Sequence, residues 1–103
     1  MTVKVGIVGV TGYAGGELIR LLLNHPEAEI VAASSRSNVG NPVSAVHKQF
    51  YGYMDLIECE IKAENYAACD VVFLALPHGA SSGLAKELAA MGKKVIDLGA
   101  DFR

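Results

Sequence analysis

Val3-Lys4-Val5-Gly6-Ile7-Val8-Gly9-Val10-Thr11-Gly12-Tyr13-Ala14-Gly15 is the stretch on which the fold turns. Val3 to Val8 is a short, β-branched apolar run closed by Gly9, the pattern of a buried strand. Beyond the glycines, Ala14, Leu18, Leu21 and Leu22 fall on one helical face, and Asn24-His25-Pro26 supplies a stop. The link between strand and helix is spaced Gly-x-x-Gly-x-x-Gly. Glycine suits that link because the chain turns sharply and its backbone must come close to a pyrophosphate, while the last glycine lets helix and strand pack. The free N–H groups and partial positive charge at the start of a helix then attract the anion. Gly9, Thr11, Gly12, Tyr13, Ala14 and Gly15 are therefore candidate cofactor contacts, with the Thr11 hydroxyl as an added donor. A glycine triplet by itself only punctuates a turn. Between a predicted strand and a predicted helix, it stands in the context that phosphate binding requires.

Further along the chain, Ile30 to Ala33 reads as a second strand, ended by Ser34-Ser35-Arg36-Ser37-Asn38. Residues 38 to 55 read as loop, with a short helix near 43 to 48. Leu56 to Ile61 alternates as a short edge strand does, and Tyr66 to Cys69 suggests one turn of helix. Val71 to Leu76 is the most strand-like run, ended by Pro77-His78-Gly79. Leu84, Leu88 and Met91 mark a second helix, with Ser81 and Ser82 as its caps and Gly92 at the left-handed position that closes it. Val95 to Leu98 is a last strand. Strands without strict alternation are buried on both faces, which implies a parallel sheet between helices. The expected architecture is α/β, a doubly wound parallel sheet of the Rossmann type. It has about five strands in the order 3-2-1-4-5 and no sequence left for a sixth.

Composition narrows the function classes. Apolar residues make up 51% and charged residues 19% of the 103, which suits a buried sheet and argues against disorder. A net charge of −2 without a basic run points away from nucleic acid and anionic membrane surfaces. No apolar stretch is long enough to span a bilayer, and Met1-Thr2-Val3-Lys4 lacks the layout of a signal peptide. Cys59 and Cys69 form neither a Cys-x-x-Cys motif nor a disulfide framework, so a reduced cytoplasmic protein with inert, packed thiols is expected. His25 and His47 have no companions at ligand spacing, and no metal site is expected.

The choice of nucleotide falls at the end of the second strand. An NAD site usually places Asp or Glu there, to accept hydrogen bonds from the ribose. Here Glu27 and Glu29 precede the strand and so lie at its wrong end, and Ser35, Arg36 and Ser37 follow it instead. The planar, permanently charged guanidinium of Arg36 suits a 2′-phosphate, which makes NADP the expected cofactor. Pro77, His78 and Gly79 leave the fourth predicted strand at the carboxyl edge, where ligands bind in open α/β sheets. With no partner for His78 evident, binding is its expected role and catalysis is not.

Gly9-Val10-Thr11-Gly12-Tyr13-Ala14-Gly15-Gly16-Glu17-Leu18, Ser34-Ser35-Arg36, Phe73-Leu74-Ala75-Leu76-Pro77-His78-Gly79 and Asp97-Leu98-Gly99-Ala100-Asp101-Phe102-Arg103 together resemble the N-acetyl-gamma-glutamyl-phosphate reductases, relatives of aspartate-semialdehyde dehydrogenase. The resemblance covers the whole chain in order. It implies a reductive dephosphorylation in arginine biosynthesis: a cysteine thiolate attacks an acyl phosphate, phosphate leaves, and NADPH reduces the thioester to a semialdehyde. It also implies that the nucleophile, in a Gly-Cys-Tyr-Pro-Thr segment, the catalytic histidine and the substrate and dimerisation domain lie beyond residue 103. The chain is then a cofactor-binding portion without catalytic residues, and the full-length protein a homo-oligomer. Arg103 is a candidate contact for a substrate anion, by analogy with the related dehydrogenases. Two other readings stand beside this one: a non-enzymatic NADP-binding sensor, and the front half of another semialdehyde dehydrogenase. A sheet cut at one edge leaves unpaired backbone, so the piece alone is expected to be marginally stable or to self-associate.

The Arg36 assignment carries a direct test. Arg36→Ala should weaken NADP binding far more than NAD binding, and equal losses for the two would refute the 2′-phosphate contact.

Overall fold

The computed structural model describes residues 3–10, 13–35, 39–45, 48, 56–75 and 82–98. Its elements are β1 (Val3–Val8), α1 (Tyr13–Leu23), β2 (Ala28–Ser34), a 3-10 turn at Val43–Ala45, another at Ala63–Tyr66, β3 (Val71–Leu74), α2 (Ser82–Ala90) and β4 (Lys94–Asp97). The strands form one parallel sheet in the order β2-β1-β3-β4. Val8 pairs with both Ser34 and Leu74, and Leu74 pairs with Asp97, so all four strands end level at one carboxyl edge.

Both faces of the sheet are covered, as the apolar runs imply. On one face Val5, Ile7 and Ala33 pack with Ile19, Leu18 and Leu22 of α1 and with Val43. On the other, Val8, Ala32, Val72 and Leu74 pack with Leu84 and Leu88 of α2 and with Ala63, Tyr66 and Cys69. Asn24 ends α1 by donating from its side-chain amide to the Arg20 carbonyl at 3.1 Å. Gly92, at φ 83°, ends α2. Its N–H reaches the Ala89 carbonyl and that of Lys93 reaches the Leu88 carbonyl, the paired bonds of a Schellman ending.

Several expectations are corrected. Among the described residues the sheet has four strands where five were expected, because Leu56–Ile61 does not form one. It makes two single bridges, Ser34 with Cys59 in parallel and Pro42 with Ile57 antiparallel. Residues 40–43 take most of its backbone bonds: the N–H groups of Gly40 and Val43 donate to Glu58 and Leu56, and that of Glu58 donates to Asn41. The segment still lies outside β2, where the order 3-2-1-4-5 puts a third strand. Leu21 faces solvent at 57% exposure, and the buried stripe of α1 runs through Ile19 with Leu18 and Leu22 beside it. Met91 is exposed in the turn after α2, not on its inner face. β2 begins two residues earlier than expected, so Glu29 lies inside it, paired with Lys4 at the amino end and away from the carboxyl edge. The helical turn expected over 66–69 ends at Tyr66. α2 begins at Ser82, and Ser81 lies outside the described residues.

One irregularity in β2 decides which way its last side chains face. Val5 pairs with Ile30 but Gly6 pairs with Ala32, so β2 carries one extra residue at Val31. Val31 and Ala32 consequently both face α2, and every later side chain of β2 changes face relative to an unbroken strand. Gly6 lies opposite the bulge. A Cβ there would stand 2.8 Å from the Cys69 sulfur and overlap the Tyr66 ring, so glycine is what admits that ring to the sheet.

A candidate dinucleotide site at the carboxyl edge

The residues that leave the four strand ends are Gly9, Ser35, Ala75 and Leu98. Gly9 adopts φ 82°, a left-handed conformation that favours glycine, and turns the chain back over the sheet. The carbonyl of Ser34 accepts hydrogen bonds from Gly9 N–H at 2.9 Å and Val10 N–H at 3.0 Å, tying the start of the turn to the end of β2. Gly15 sits in the first turn of α1, directly against the backbone of Val10. A Cβ at Gly15 would stand 2.7 Å from the Val10 Cα and carbonyl carbon, too close for any other residue. The close helix-to-turn approach expected of the last glycine is therefore present. It sets the start of α1, whose first N–H groups have no acceptor within the helix, beside the turn that follows β1.

Ser34 is held from its side chain as well. The bulge turns its hydroxyl toward α2, where it meets the hydroxyl of Tyr66 in a short hydrogen bond. Tyr66 Oη donates to the Ile7 carbonyl at 3.2 Å, so Ser34 Oγ is the donor to Tyr66. Both side chains are fully buried. Burial raises the Tyr66 hydroxyl well above the ordinary tyrosine range, against a smaller lowering by the Ser34 bond, so the phenol stays protonated and the chain of bonds keeps its direction. Burial also pushes both cysteine thiols up. Cys69 is 1% exposed and Cys59 donates to the Ala33 carbonyl at 3.3 Å, which agrees with packing roles for both.

Ser35, 2% exposed, lines a cavity of about 300 Å³ with Val39, Glu60, Ile61 and Lys62. Of the other residues expected at the site, Tyr13 and Ala14 begin the backbone of α1. Thr11, Gly12, Arg36, Ser37, Pro77, His78, Gly79 and Arg103 lie outside the described residues. Sequence reasoning missed Tyr66 and the wall formed by Glu60, Ile61 and Lys62. A lone aromatic in a polar-apolar stretch gives no sign that it reaches 59 positions back to Ile7. Among the described residues no group of three or more His, Cys, Asp or Glu could hold a metal ion, and no helix is long and apolar enough to cross a membrane.

Residues 4–103 match the model of the semialdehyde dehydrogenase NAD-binding domain. The chain belongs to that family. It is similar to N-acetyl-gamma-glutamyl-phosphate reductases from Symbiobacterium thermophilum, at 50% identity over 103 residues, and from Archaeoglobus fulgidus, at 47% over 100. Those matches take in 100% and 97% of the chain but 30% of each relative, so the chain spans about a third of the length of the curated relatives it matches. Among solved structures, aspartate semialdehyde dehydrogenase with NADP from Candida albicans superimposes with a TM-score of 0.83 at 27% identity, covering 99% of the chain and 31% of that protein. Aspartate semialdehyde dehydrogenase II from Vibrio cholerae gives 0.76 at 18% identity over 99% of the chain and 32% of that protein, a likeness of fold. The family model agrees with the turn geometry: this is an NAD(P)-binding domain of the semialdehyde dehydrogenase type.

The Tyr66–Ser34 pair supports a quantitative test. Tyr66→Phe keeps the ring but removes the partner of the Ser34 hydroxyl and one donor to the Ile7 carbonyl, and should cost about 1–3 kcal/mol of stability in denaturant unfolding. In a double-mutant cycle with Ser34→Ala the losses should fall short of additive by about 0.5 kcal/mol or more; additive losses would mean that the two hydroxyls are not coupled.

Proposed function

We propose that the chain is the cofactor-binding portion of an NADP-dependent N-acetyl-gamma-glutamyl-phosphate reductase, an enzyme of arginine biosynthesis that reduces an acyl phosphate to a semialdehyde. The observation that carries this reading is the seat of Gly15 on Val10, a cradle that a Cβ would fill, at the head of α1 and level with the strand ends. Identities near 50% to curated reductases over the whole chain support the choice of enzyme within the family.

In this reading NADPH, when bound, supplies the hydride. The chain's own residues bind and orient it. Gly9, Gly12 and Gly15 bring the backbone against the pyrophosphate, with Thr11, Tyr13 and Ala14 beside them. Ser35, Arg36 and Ser37 take the 2′-phosphate end, because the residues that follow β2 in the chain supply an arginine and no carboxylate. Pro77, His78 and Gly79 line the groove for the remainder of the cofactor, and Arg103 meets a substrate anion. The cysteine nucleophile, the histidine acid-base group and the substrate domain belong, by the resemblance to the reductases, to other sequence, and the two cysteines here fit packing roles, with Cys69 buried and both thiols pushed up by burial. The full-length enzyme is a cytoplasmic homo-oligomer on this account. The small-molecule partner of the stretch itself is the nucleotide.

Calorimetric titration with NADPH and NADH tests the reading. NADPH should bind at least about tenfold tighter, the worth of one or more charge-assisted contacts to a phosphate. Equal affinities would contradict the assignment to NADP.

A further inference from the structure

Tyr66 packs on the α2 face of the sheet, opposite α1, yet its hydroxyl ends at the last residues of β1 and β2. The segment that carries it is fixed on both sides. Before the tyrosine, Asn65 N–H donates to the Lys62 carbonyl at 3.0 Å and Asn65 Nδ2 to the Glu60 carbonyl at 2.9 Å. After it, Cys69 N–H donates to the Tyr66 carbonyl at 3.0 Å, and Lys93 Nζ to the Ala67 carbonyl at 2.6 Å. Asp70 N–H then donates to the Lys4 carbonyl at 2.7 Å, and Lys4 N–H returns a bond to Asp70 Oδ2 at 2.9 Å. The segment is thus tied to the start of β1, while the ring lies over Gly6 with no room for a Cβ beneath it. A fully buried ring on a segment held in this way is a fixed point.

Three contacts in series lead from that point to the start of α1. Ser34 Oγ donates to Tyr66 Oη, the Ser34 carbonyl accepts from Gly9 and Val10, and the Val10 backbone lies against Gly15 in the first turn of the helix. Ser34 joins the two halves of the series. Its side chain is bonded on the α2 face and its carbonyl at the turn, so a held Oγ limits rotation about the bonds that aim the carbonyl. Without the phenol, a buried hydroxyl has to turn toward another partner. The carbonyl is then aimed by strand pairing alone.

We infer that Tyr66 is a positioning residue for dinucleotide binding, whose hydroxyl acts through Ser34 to place the glycine turn against which the pyrophosphate is held. The inference rests on the proposed dinucleotide site and adds to it a residue that is buried in the core. A turn placed in advance spares the nucleotide the cost of ordering it. Because NADPH and NADH share the pyrophosphate, the effect falls on both alike and leaves the preference between them unchanged.

The test uses the full chain, with NADPH and NADH binding read by calorimetry and the Gly9 and Val10 amides by NMR. Tyr66→Phe should weaken both nucleotides by about three- to tenfold, the worth of one hydrogen bond. It keeps the ring, and should still shift the Gly9 and Val10 amides before any nucleotide is added. Ser34→Ala should do the same, and the double variant should bind within about twofold of the weaker single one. Val95→Ala, which trims the same core from β4, controls for lost stability. It should leave both affinities within about twofold of wild type and both amides in place. If Tyr66→Phe binds both nucleotides as wild type does, or loses no more than Val95→Ala, the positioning role is overturned while the dinucleotide site stands. A wild-type chain that binds neither nucleotide would overturn the site and the inference together. Should Tyr66→Phe fail to fold, Ser34→Ala decides by the same two readouts.

Discussion

The carbonyl of Ser34 accepts two N–H groups from the start of the glycine turn, and the geometry of the site depends on that fork. It ties the exit of β1 to the last residue of β2, so the turn cannot move without disturbing the pairing of the two strands. From that anchor the chain needs only a left-handed residue at Gly9 and a missing side chain at Gly15 to bring α1 down on Val10. Each of these constraints is steric or concerns backbone hydrogen bonds. None depends on a charged side chain, so the turn by itself carries no preference between nucleotides, and on the proposed reading that preference is decided at the end of β2.

The fork is itself supported from beneath. One extra residue at Val31 turns Ser34 toward the α2 face, and a glycine at position 6 leaves room there for the Tyr66 ring. The buried hydroxyls of Ser34 and Tyr66 then satisfy each other and the Ile7 carbonyl in a single directed run. A serine at the end of an unbroken β2 would face α1 instead, among the apolar side chains of Val5, Ile7 and Ile19. Bulge, glycine and tyrosine therefore work together, and a change at one alters what the others can do. The turn at the carboxyl edge thus draws on a core contact made by Tyr66, buried on the α2 face of the sheet.

Much of this was legible in the residues. Val3–Val8 and Val71–Leu74 are short apolar runs bounded by turn residues, and both pair as central strands. The glycine spacing announces its turn because steric demand is local. Leu56–Ile61 misled for an equally physical reason: alternation describes a half-buried surface, and residues 40–43 supply most of its backbone partners in place of a neighbouring strand. Leu21 misled because a helix stripe centred on Ile19 leaves it on the rim, where an apolar side chain is tolerated. The Tyr66–Ser34 bond and the wall around Lys62 were not legible at all. The first depends on a one-residue bulge and the second on a single bridge, and neither leaves a periodic trace in the chain.

On the proposed reading a turn anchored in this way is a preformed seat for a pyrophosphate, and amide chemical shifts of the isotopically labelled protein would register that directly. On addition of NADPH the largest shifts should fall on the N–H groups at the start of α1, with Gly9 and Val10 moving little because their N–H groups are already committed to Ser34. Pyrophosphate alone should shift the same helix-start amides. If the largest changes fall away from α1, or if Gly9 and Val10 must release Ser34 before the nucleotide binds, the preformed seat is contradicted.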